Sequence, residues 1–257
     1  MMIRNIKRTA AGLAALAICT GAAMSASQDD TIATQSGALQ IHAIHHASLM
    51  LTWSGKHVLI DPAPVGGDDP TAGYAALPKP DLIVYTHSHG DHFNVAILEA
   101  VAGSGTQIIA PQEVYDEIPA KLRAQTTVMA NGDKAMVNGI PEEAEPMYNT
   151  TPERAKFHSK GKGNGYILTF GGTRVYIAGD TEEAPELAHL PQIDVAFLPM
   201  NLPYTETVEA AAQWVRDLRP KVVYPYHFRN ADKTMSDLDA FKKDVGGVSD
   251  VRVLDWY

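Results

Sequence analysis

Cysteine is almost missing from this sequence, and its scarcity limits the available chemistry. The one cysteine among 257 residues is Cys19, which lies in an N-terminal segment that we expect to be removed from the mature protein. The mature chain can then form no disulfide and offers no thiolate as a nucleophile or a metal ligand. Any transition metal must therefore be bound by histidine nitrogens and carboxylate oxygens.

The N-terminal segment has the features of an export signal. Basic residues precede an uncharged apolar run over residues 10–24, and small residues follow at 25–27. This order is typical of a secretory signal peptide, so we expect residues 1–26 to be cleaved and the mature protein to be periplasmic or secreted. The run is shorter than the ~20 residues of a membrane-spanning helix, which disfavours stable membrane insertion. Attachment of a lipid at Cys19 stays open.

Positive charge is also scarce. The sequence has 21 Lys and Arg against 30 Asp and Glu, a formal net charge of −9, and loss of the predicted signal removes only basic charges. Affinity for nucleic acid and for anionic membranes comes largely from Lys and Arg, so we expect neither as a partner. The expected partner is a small-molecule substrate, and the sequence leaves the oligomeric state open.

The rest of the sequence predicts a short leader followed by one domain. Residues 27–37 are polar, and we expect them to be a flexible leader. Over residues 38–257, short alternating or apolar runs predict strands, first as an antiparallel meander and then as strand–helix units. The second half repeats this order, with a hairpin across Gly171 and Gly172. Two such runs favour two packed sheets with helices outside.

One short segment predicts a metal site, because it contains His87, His89, Asp91 and His92 directly after a predicted buried strand. Residues two apart in an extended segment point the same way, so His87 and His89 can bind one ion. Gly90 permits a turn, after which Asp91 and His92 can face a second position. Such a ligand set suits zinc. A chance cluster is disfavoured, because the whole chain has only 10 His.

Three further candidate ligands lie at or near the ends of later predicted strands: His158, Asp180 and His227. Each is a weak signal alone, because a single histidine is more often a packed or surface residue, and Asp180 could cap a helix. Their order after the His-rich segment makes the combined set much stronger.

This set, His87-x-His89-x-Asp91-His92 with His158, Gly179-Asp180-Thr181 and His227, resembles the metallo-β-lactamase fold superfamily of metallo-hydrolases. Within the superfamily, His45-His46-Ala47-Ser48 and Ile60-Asp61-Pro62 resemble the branch of the ascorbate-phosphate lactonase and related hydrolases. The resemblance covers about residues 38–257. It implies an α/β fold, a four-layer αββα sandwich of two mixed β-sheets with outer helices.

The resemblance also implies two metal sites, with one ion bound by His87, His89 and His158 and the other by Asp91, His92 and His227, bridged by Asp180. The di-iron oxygen-reducing relatives have glutamate where this chain has His89. We therefore expect two Zn²⁺ per chain, with Mn²⁺ as the alternative ion.

Weaker candidates for contact with the ligands or the substrate are His46, Asp61, Lys160, Asn201 and Tyr204. The resemblance implies that Asp61 fixes the tautomer of a metal-binding imidazole, although it could equally be a turn residue. His46 could contact a ligand or the substrate, or be an ordinary strand residue. Lys160, like Lys162 and Arg229, could meet an anionic group or be solvated. Asn201 and Tyr204 could contact substrate or belong to a structural loop.

These features predict an exported hydrolase in which a hydroxide bound by two metal ions attacks a small ester, lactone, amide or phosphoester. Asp91 and Asp180 are the predicted catalytic residues, which would orient the nucleophile, and Asp91 would carry its proton to the leaving group. One alternative is a phosphodiesterase or nuclease on the same fold, which the acidic charge disfavours. The other is a non-catalytic exported zinc-binding protein, which the full ligand set disfavours.

Overall fold

The computed structural model describes residues 27–188 and 190–257, so the predicted signal peptide, residues 1–26, lies outside the described residues. Within the described part of the chain, none of the helices has the length and apolar character needed to cross a membrane.

Two seven-stranded sheets form the centre of the fold. The first sheet contains, in spatial order, β1 (Asp29–Thr34), β2 (Gly37–His45), β3 (Ser48–Trp53), β4 (Lys56–Ile60), β5 (Leu82–Val84), β6 (Gln107–Ala110) and β7 (Thr126–Val128). The second sheet contains, in the same sense, β8 (Lys134–Val137), β9 (Ile140–Met147), β10 (Gly163–Phe170), β11 (Thr173–Ile177), β12 (Val195–Pro199), β13 (Val222–Tyr226) and β14 (Asp250–Val251).

Both sheets are mixed and have the same internal order. Strands β1 to β4 are antiparallel neighbours, and β4 to β7 run parallel. Strands β8 to β11 are again antiparallel, and β11 to β14 parallel. The prediction that the second half repeats the first is therefore confirmed.

Residues 29–34 correct one prediction, because they form a strand and are not a flexible leader. Strand β1 pairs with β2 from Asp29 opposite His42 to Thr34 opposite Gly37. Its polar composition concealed the strand, but its charged groups have partners. The Tyr224 hydroxyl donates to the Asp30 carboxylate over 2.6 Å, and the Arg252 guanidinium donates over 3.1 Å.

Helices cover the outer face of each sheet. They are α1 (Val95–Val101), α2 (Gln112–Glu117), α3 (Ala120–Arg123), α4 (Val208–Leu218) and α5 (Leu238–Val245), and a 3-10 turn spans Ala72–Tyr74. Along β5, Leu82 and Val84 belong to the large core cluster shared by the two sheets, whereas Ile83 packs in a second cluster with Ile97 and Leu98 of α1. The side chains of a strand alternate between its two faces, so the predicted αββα sandwich is confirmed.

The helix ends follow from local chemistry. The Asn94 side chain accepts hydrogen bonds from the backbone N–H groups of Ala96 and Ile97 and so begins α1. Thr207 does the same for α4 through the N–H of Ala210. Such caps satisfy N–H groups that the helix itself leaves without a partner.

Two segments lie near the junction of the two halves of the chain. The turn at Asn131 and Gly132 connects β7 of the first sheet to β8 of the second. The chain passes there from the first sheet to the second. Strand β9, with the sequence IPEEAEPM, was not predicted, because its prolines and glutamates are unfavourable for an interior strand.

Candidate metal centre

The candidate ligands meet at one end of the sandwich, in the loops that follow strand ends. His87, His89, Asp91 and His92 follow β5, Asp180 follows β11, and His227 follows β13. The carboxyl ends of parallel strands form the usual ligand-binding edge of an α/β sheet. The two packed sheets therefore bring residues far apart in sequence to one place.

The first group of ligand atoms belongs to His87, His89 and His158. One nitrogen from each imidazole lies within 4.8 Å of the other two, and His87 Nε2 is 3.1 Å from His89 Nδ1. His87 and His158 are buried, whereas His89 is exposed. The group is therefore closed on the protein side and open towards solvent at His89.

The Asp180 carboxylate lies between the first group and a second group, which contains Asp91, His92 and His227. Its Oδ1 is 3.2 Å from His92 Nε2, and its Oδ2 is 3.4 Å from His158 Nε2 and 3.3 Å from His227 Nε2. His227 Nε2 is also 3.5 Å from Asp91 Oδ2. All seven predicted ligands are thus brought together, with Asp180 in contact with both groups.

Several of these atoms are buried and have no hydrogen bond. Within residues 27–188 and 190–257, no hydrogen-bond partner is found for the Nε2 atoms of His92, His158 and His227 or for Asp180 Oδ1. Leaving a buried polar atom unsatisfied costs about 1–3 kcal/mol, so four at one point call for a ligand. Imidazole nitrogens and carboxylate oxygens suit a divalent transition metal. The residues present therefore fit a metal.

Neighbouring side chains fix the orientation of the imidazoles. The Thr86 hydroxyl donates to Asp61 Oδ2 over 2.6 Å, and its oxygen can then accept from His87 Nδ1 at 2.9 Å. His92 Nδ1 is 2.8 Å from the same Asp61 oxygen. A proton on each Nδ1 leaves Nε2 free to bind a metal.

His158 is held in the same way by the backbone of Tyr204, one of the weaker candidates, and by Asn149, which the sequence analysis did not select. Its Nδ1 is 3.2 Å from the backbone carbonyl oxygen of Tyr204, and the Asn149 side-chain amide donates to that carbonyl over 2.7 Å. Tyr204 thus contributes its backbone, while its ring packs edge-on against Phe157. Thr86 and Asn149 both follow strands, β5 and β9, which is the signal that could have identified them.

The electrostatics favour neutral imidazoles at His87 and His158 and an ionised carboxylate at Asp180. Burial lowers the pKa of His87 well below its ordinary value and also lowers that of His158. Burial would raise the pKa of Asp180, but the surrounding imidazoles, chiefly His227 and His92, lower it well below the ordinary value. For His92, burial is outweighed by the Asp180 and Asp61 carboxylates, which raise its pKa. A bound cation would take the place of the proton that these carboxylates attract.

The backbone around the centre is conformationally unusual. His46, Asp61 and His227 have φ of 58°, 41° and 47°, in the left-handed region that side chains with a Cβ avoid. Gly179 has φ 69°, and a Cβ there would lie 2.6 Å from Met147 Sδ. The predicted turn at Gly90 is present, and the N–H groups of His92 and Phe93 donate to the His89 carbonyl over 2.9 and 2.8 Å. Gly90 itself has open space around it and no left-handed φ, so this turn does not require a glycine.

His46 connects the centre to the end of the chain. Its Nε2 is 3.2 Å from Asp91 Oδ2, its Nδ1 is 3.0 Å from the Tyr257 hydroxyl, and its ring centroid is 3.7 Å from that of His227. Burial and the neighbouring His227 lower the pKa of His46 to about 4. The neutral ring can accept from Tyr257 and donate to Asp91, which orients the Asp91 carboxylate.

Two predicted substrate contacts have other roles. The Lys160 ammonium pairs with Glu186 and lies over the Tyr148 ring, and Lys160 lines neither of the cavities described below. The Asn201 side chain is buried and accepts from the Thr205 hydroxyl over 2.7 Å. Asn201 therefore stabilises its own loop.

Two cavities flank the ligands. The cavity beside the first group has a volume of about 200 Å³ and is lined by His87, Ser88, His89, Glu113, Met147, Phe157, His158, Ser159, Lys162 and Gly163. The cavity beside Asp91 has about 190 Å³ and is lined by His45, His46, Ser48, Ala63, Pro64, Asp91 and Arg229. A substrate can thus approach the ligand set from either side.

Comparison with known proteins agrees with this geometry. The model of the β-lactamase superfamily domain matches residues 40–227. A UPF0173 metal-dependent hydrolase of Pyrococcus abyssi is 31% identical over 84% of this chain and 96% of its own length. A UPF0173 metal-dependent hydrolase of Thermococcus kodakarensis is 30% identical over the same shares.

Solved structures give the same result. A protein of Parabacteroides distasonis proposed to be a metal-dependent hydrolase is 40% identical, with a TM-score of 0.78 over 90% of this chain and 100% of that one. Igni18, a metallo hydrolase of Ignicoccus hospitalis, is 26% identical, with a TM-score of 0.70 over 85% of this chain and 95% of that one. The chain therefore belongs to the metallo-β-lactamase fold superfamily and, within it, to the family of UPF0173 metal-dependent hydrolases.

Proposed function

We propose that this protein is an exported hydrolase that uses two zinc ions to cleave a small ester, lactone, amide or phosphoester. The observation that supports it most is the position of Asp180, whose carboxylate oxygens lie 3.2–3.4 Å from imidazole nitrogens of both ligand groups. A carboxylate shared in this way is suited to bridge two cations. The names of the relatives, metal-dependent hydrolases, agree with this reaction class.

Zinc is the proposed ion because of the donors. Five imidazoles and two carboxylates form the ligand set, and no thiolate is available in the mature chain. Mixed nitrogen and carboxylate sites suit Zn²⁺, whereas carboxylate-rich oxygen sites suit Mg²⁺ or Mn²⁺. Mn²⁺ is the alternative ion. Export rests on the N-terminal sequence, and the resemblance to the ascorbate-phosphate lactonase branch stays a prediction.

The residues around the ions have separable tasks. The five imidazoles and two carboxylates would hold two divalent ions, which would lower the pKa of a water molecule and polarise the oxygen of the attacked group. The protein holds the imidazoles in place through Thr86, Asp61 and Asn149. Asp180 is buried and orients the nucleophile from inside the protein. Asp91 is half-exposed at the 190 Å³ cavity, so its carboxylate can take up the proton of the nucleophile and pass it to the leaving group.

Metal analysis and turnover together test the proposal. We expect the purified protein to contain two zinc ions per chain and to hydrolyse members of a panel of esters, lactones, β-lactams, thioesters and phosphodiesters. His89→Ala should lower both metal content and activity. His42→Ala is the matched control, because His42 lies on β2 and pairs with Asp29 at the surface.

The outcomes separate the alternatives. Full activity of His89→Ala would contradict the two-ion proposal. Zinc binding without turnover of any substrate class would favour a non-catalytic zinc-binding protein. Preference for phosphodiesters or nucleic acid would favour a phosphodiesterase or nuclease, although the net charge of −9 disfavours a polyanionic substrate.

A further inference from the structure

Three basic side chains near the ligand set differ in whether their charge is already neutralised. The Lys162 ammonium lies 2.6 Å from a Glu113 carboxylate oxygen, and Lys160 pairs with Glu186. Arg229 has no carboxylate within ion-pair distance among the residues that the structure describes. Its guanidinium is therefore the one cation of the three that is available to an incoming anion.

Arg229 is held in a defined position. Its guanidinium carbon lies 4.1 Å from the centroid of the Tyr257 ring, and its backbone N–H donates to the Tyr257 hydroxyl over 3.2 Å. The same hydroxyl is 3.0 Å from His46 Nδ1. A guanidinium stacked on an aromatic ring keeps its N–H edge free for planar, bidentate contact with an oxyanion.

This guanidinium shares a cavity with a ligand residue. Arg229, His46 and Asp91 all line the cavity of about 190 Å³. That volume is below the roughly 300–1,000 Å³ of sites for drug-sized ligands, so the cavity suits a small substituent. The protein as a whole is acidic, with a net charge of −9, so recognition of an anion here depends on a local cation.

We propose that Arg229 binds a small oxyanion group of the substrate, a carboxylate or a phosphate, while the scissile bond lies at the metal centre. This inference rests on the proposed hydrolase function, and it names the substrate class as anionic. Tyr257 is a positioning residue, because it holds Arg229 and His46 without facing the substrate itself. Lys162 and Lys160 take no part, because their charges are paired.

Binding of succinate and acetate tests the site without turnover. Acetate offers one carboxylate, which the metal ions can bind, whereas succinate offers a second carboxylate to Arg229. Calorimetry on the zinc-loaded protein should show succinate binding at least about tenfold more tightly than acetate, because succinate adds a charge-assisted hydrogen bond to Arg229. Arg229→Met should remove that difference, and Arg229→Lys should keep part of it. Lys160→Met, a matched loss of one cation, should leave it unchanged.

Kinetics on a matched ester pair give a second measurement. We expect Arg229→Met to raise the KM for mono-4-nitrophenyl succinate by about tenfold or more and to leave the KM for neutral 4-nitrophenyl acetate nearly unchanged. Equal zinc content and equal circular dichroism of the variants exclude misfolding. An Arg229-dependent preference for succinate without hydrolysis of either ester would support the anion site and contradict the hydrolase proposal. Hydrolysis of both esters with no effect of Arg229→Met on KM or on succinate binding would overturn the anion site alone.

Discussion

The buried Glu142 gives the sharpest prediction about stability. Glu142 lies on β9 with only 1% of its surface exposed. Neither of its carboxylate oxygens has a hydrogen-bond partner within residues 27–188 and 190–257. Burial raises the pKa of Glu142 from 4.5 to about 8, so the side chain is protonated in the folded protein at neutral pH.

The sign and size of the effect follow from proton linkage. Between pH 4.5 and pH 8 the unfolded chain has lost the Glu142 proton while the folded protein retains it. Stability therefore falls as the pH rises through this interval. A pH of 7 lies 2.5 units above the ordinary pKa of 4.5 that Glu142 has in the unfolded chain. At 1.36 kcal/mol per unit, deprotonation of the unfolded chain lowers the free energy of unfolding by about 3 kcal/mol at pH 7. Glu142→Gln removes this titration and keeps the side-chain shape.

Chemical denaturation of Glu142→Gln and the parent protein between pH 4 and pH 8 measures the effect. We expect the variant to gain about 3 kcal/mol relative to the parent between pH 4.5 and pH 7. Glu143→Gln is the neighbouring control with the opposite sign. Ion pairs with Lys134 and Arg174 outweigh burial and lower the pKa of Glu143. Its contribution is therefore present above pH 4.5 and lost at lower pH. A pH-independent difference between Glu142→Gln and the parent would refute the argument.

Three further predictions concern the metal centre. Gly179→Ala should lower the free energy of unfolding, measured by chemical denaturation, by about 1–3 kcal/mol. The new Cβ would lie 2.6 Å from Met147 Sδ, on a backbone with φ 69°. Gly90→Ala is the control and should unfold like the parent protein. Thr86→Val should weaken zinc binding about 10–100-fold in a chelator competition, because it removes the hydroxyl between Asp61 and His87; unchanged affinity would count against this positioning role. Removal of the metal with a chelator should lower the free energy of unfolding by about 2.7 kcal/mol for each of the two proposed ions, relative to protein in free zinc at a hundredfold excess over Kd. Equal unfolding curves would contradict a ligand set that needs cations.

The sequence predicted best where one local signal decides the structure. The hairpin across Gly171 and Gly172 formed as expected, with φ of 52° and 83° at these residues. The His-rich segment after β5 was recognised as a candidate metal site because four ligand-type side chains within six residues are rare by chance. The repeated order of strands and helices predicted the two sheets, because hydrophobic period depends only on local sequence.

Long-range contacts explain the features that the sequence did not predict. Strand β1 and strand β9 are polar in sequence, and they are strands because neighbouring strands pair with them. No local pattern indicates that the Tyr257 hydroxyl meets His46 from the other end of the chain. Likewise, Lys160 and Arg229 are equivalent cations in sequence. In the structure Lys160 pairs with Glu186, whereas Arg229 stacks on Tyr257 and lines the cavity beside Asp91.

The division of the strands between the sheets has a consequence for assembly of the centre. The first sheet is made only from residues before the turn at Asn131 and Gly132, and the second only from residues after it. His87, His89, Asp91 and His92 come from the first half, whereas His158, Asp180 and His227 come from the second. Neither half alone holds a complete ligand set, so a metal bound at Asp180 joins two segments that share a single covalent connection. We therefore expect high-affinity metal uptake at this centre to require that the two halves have docked.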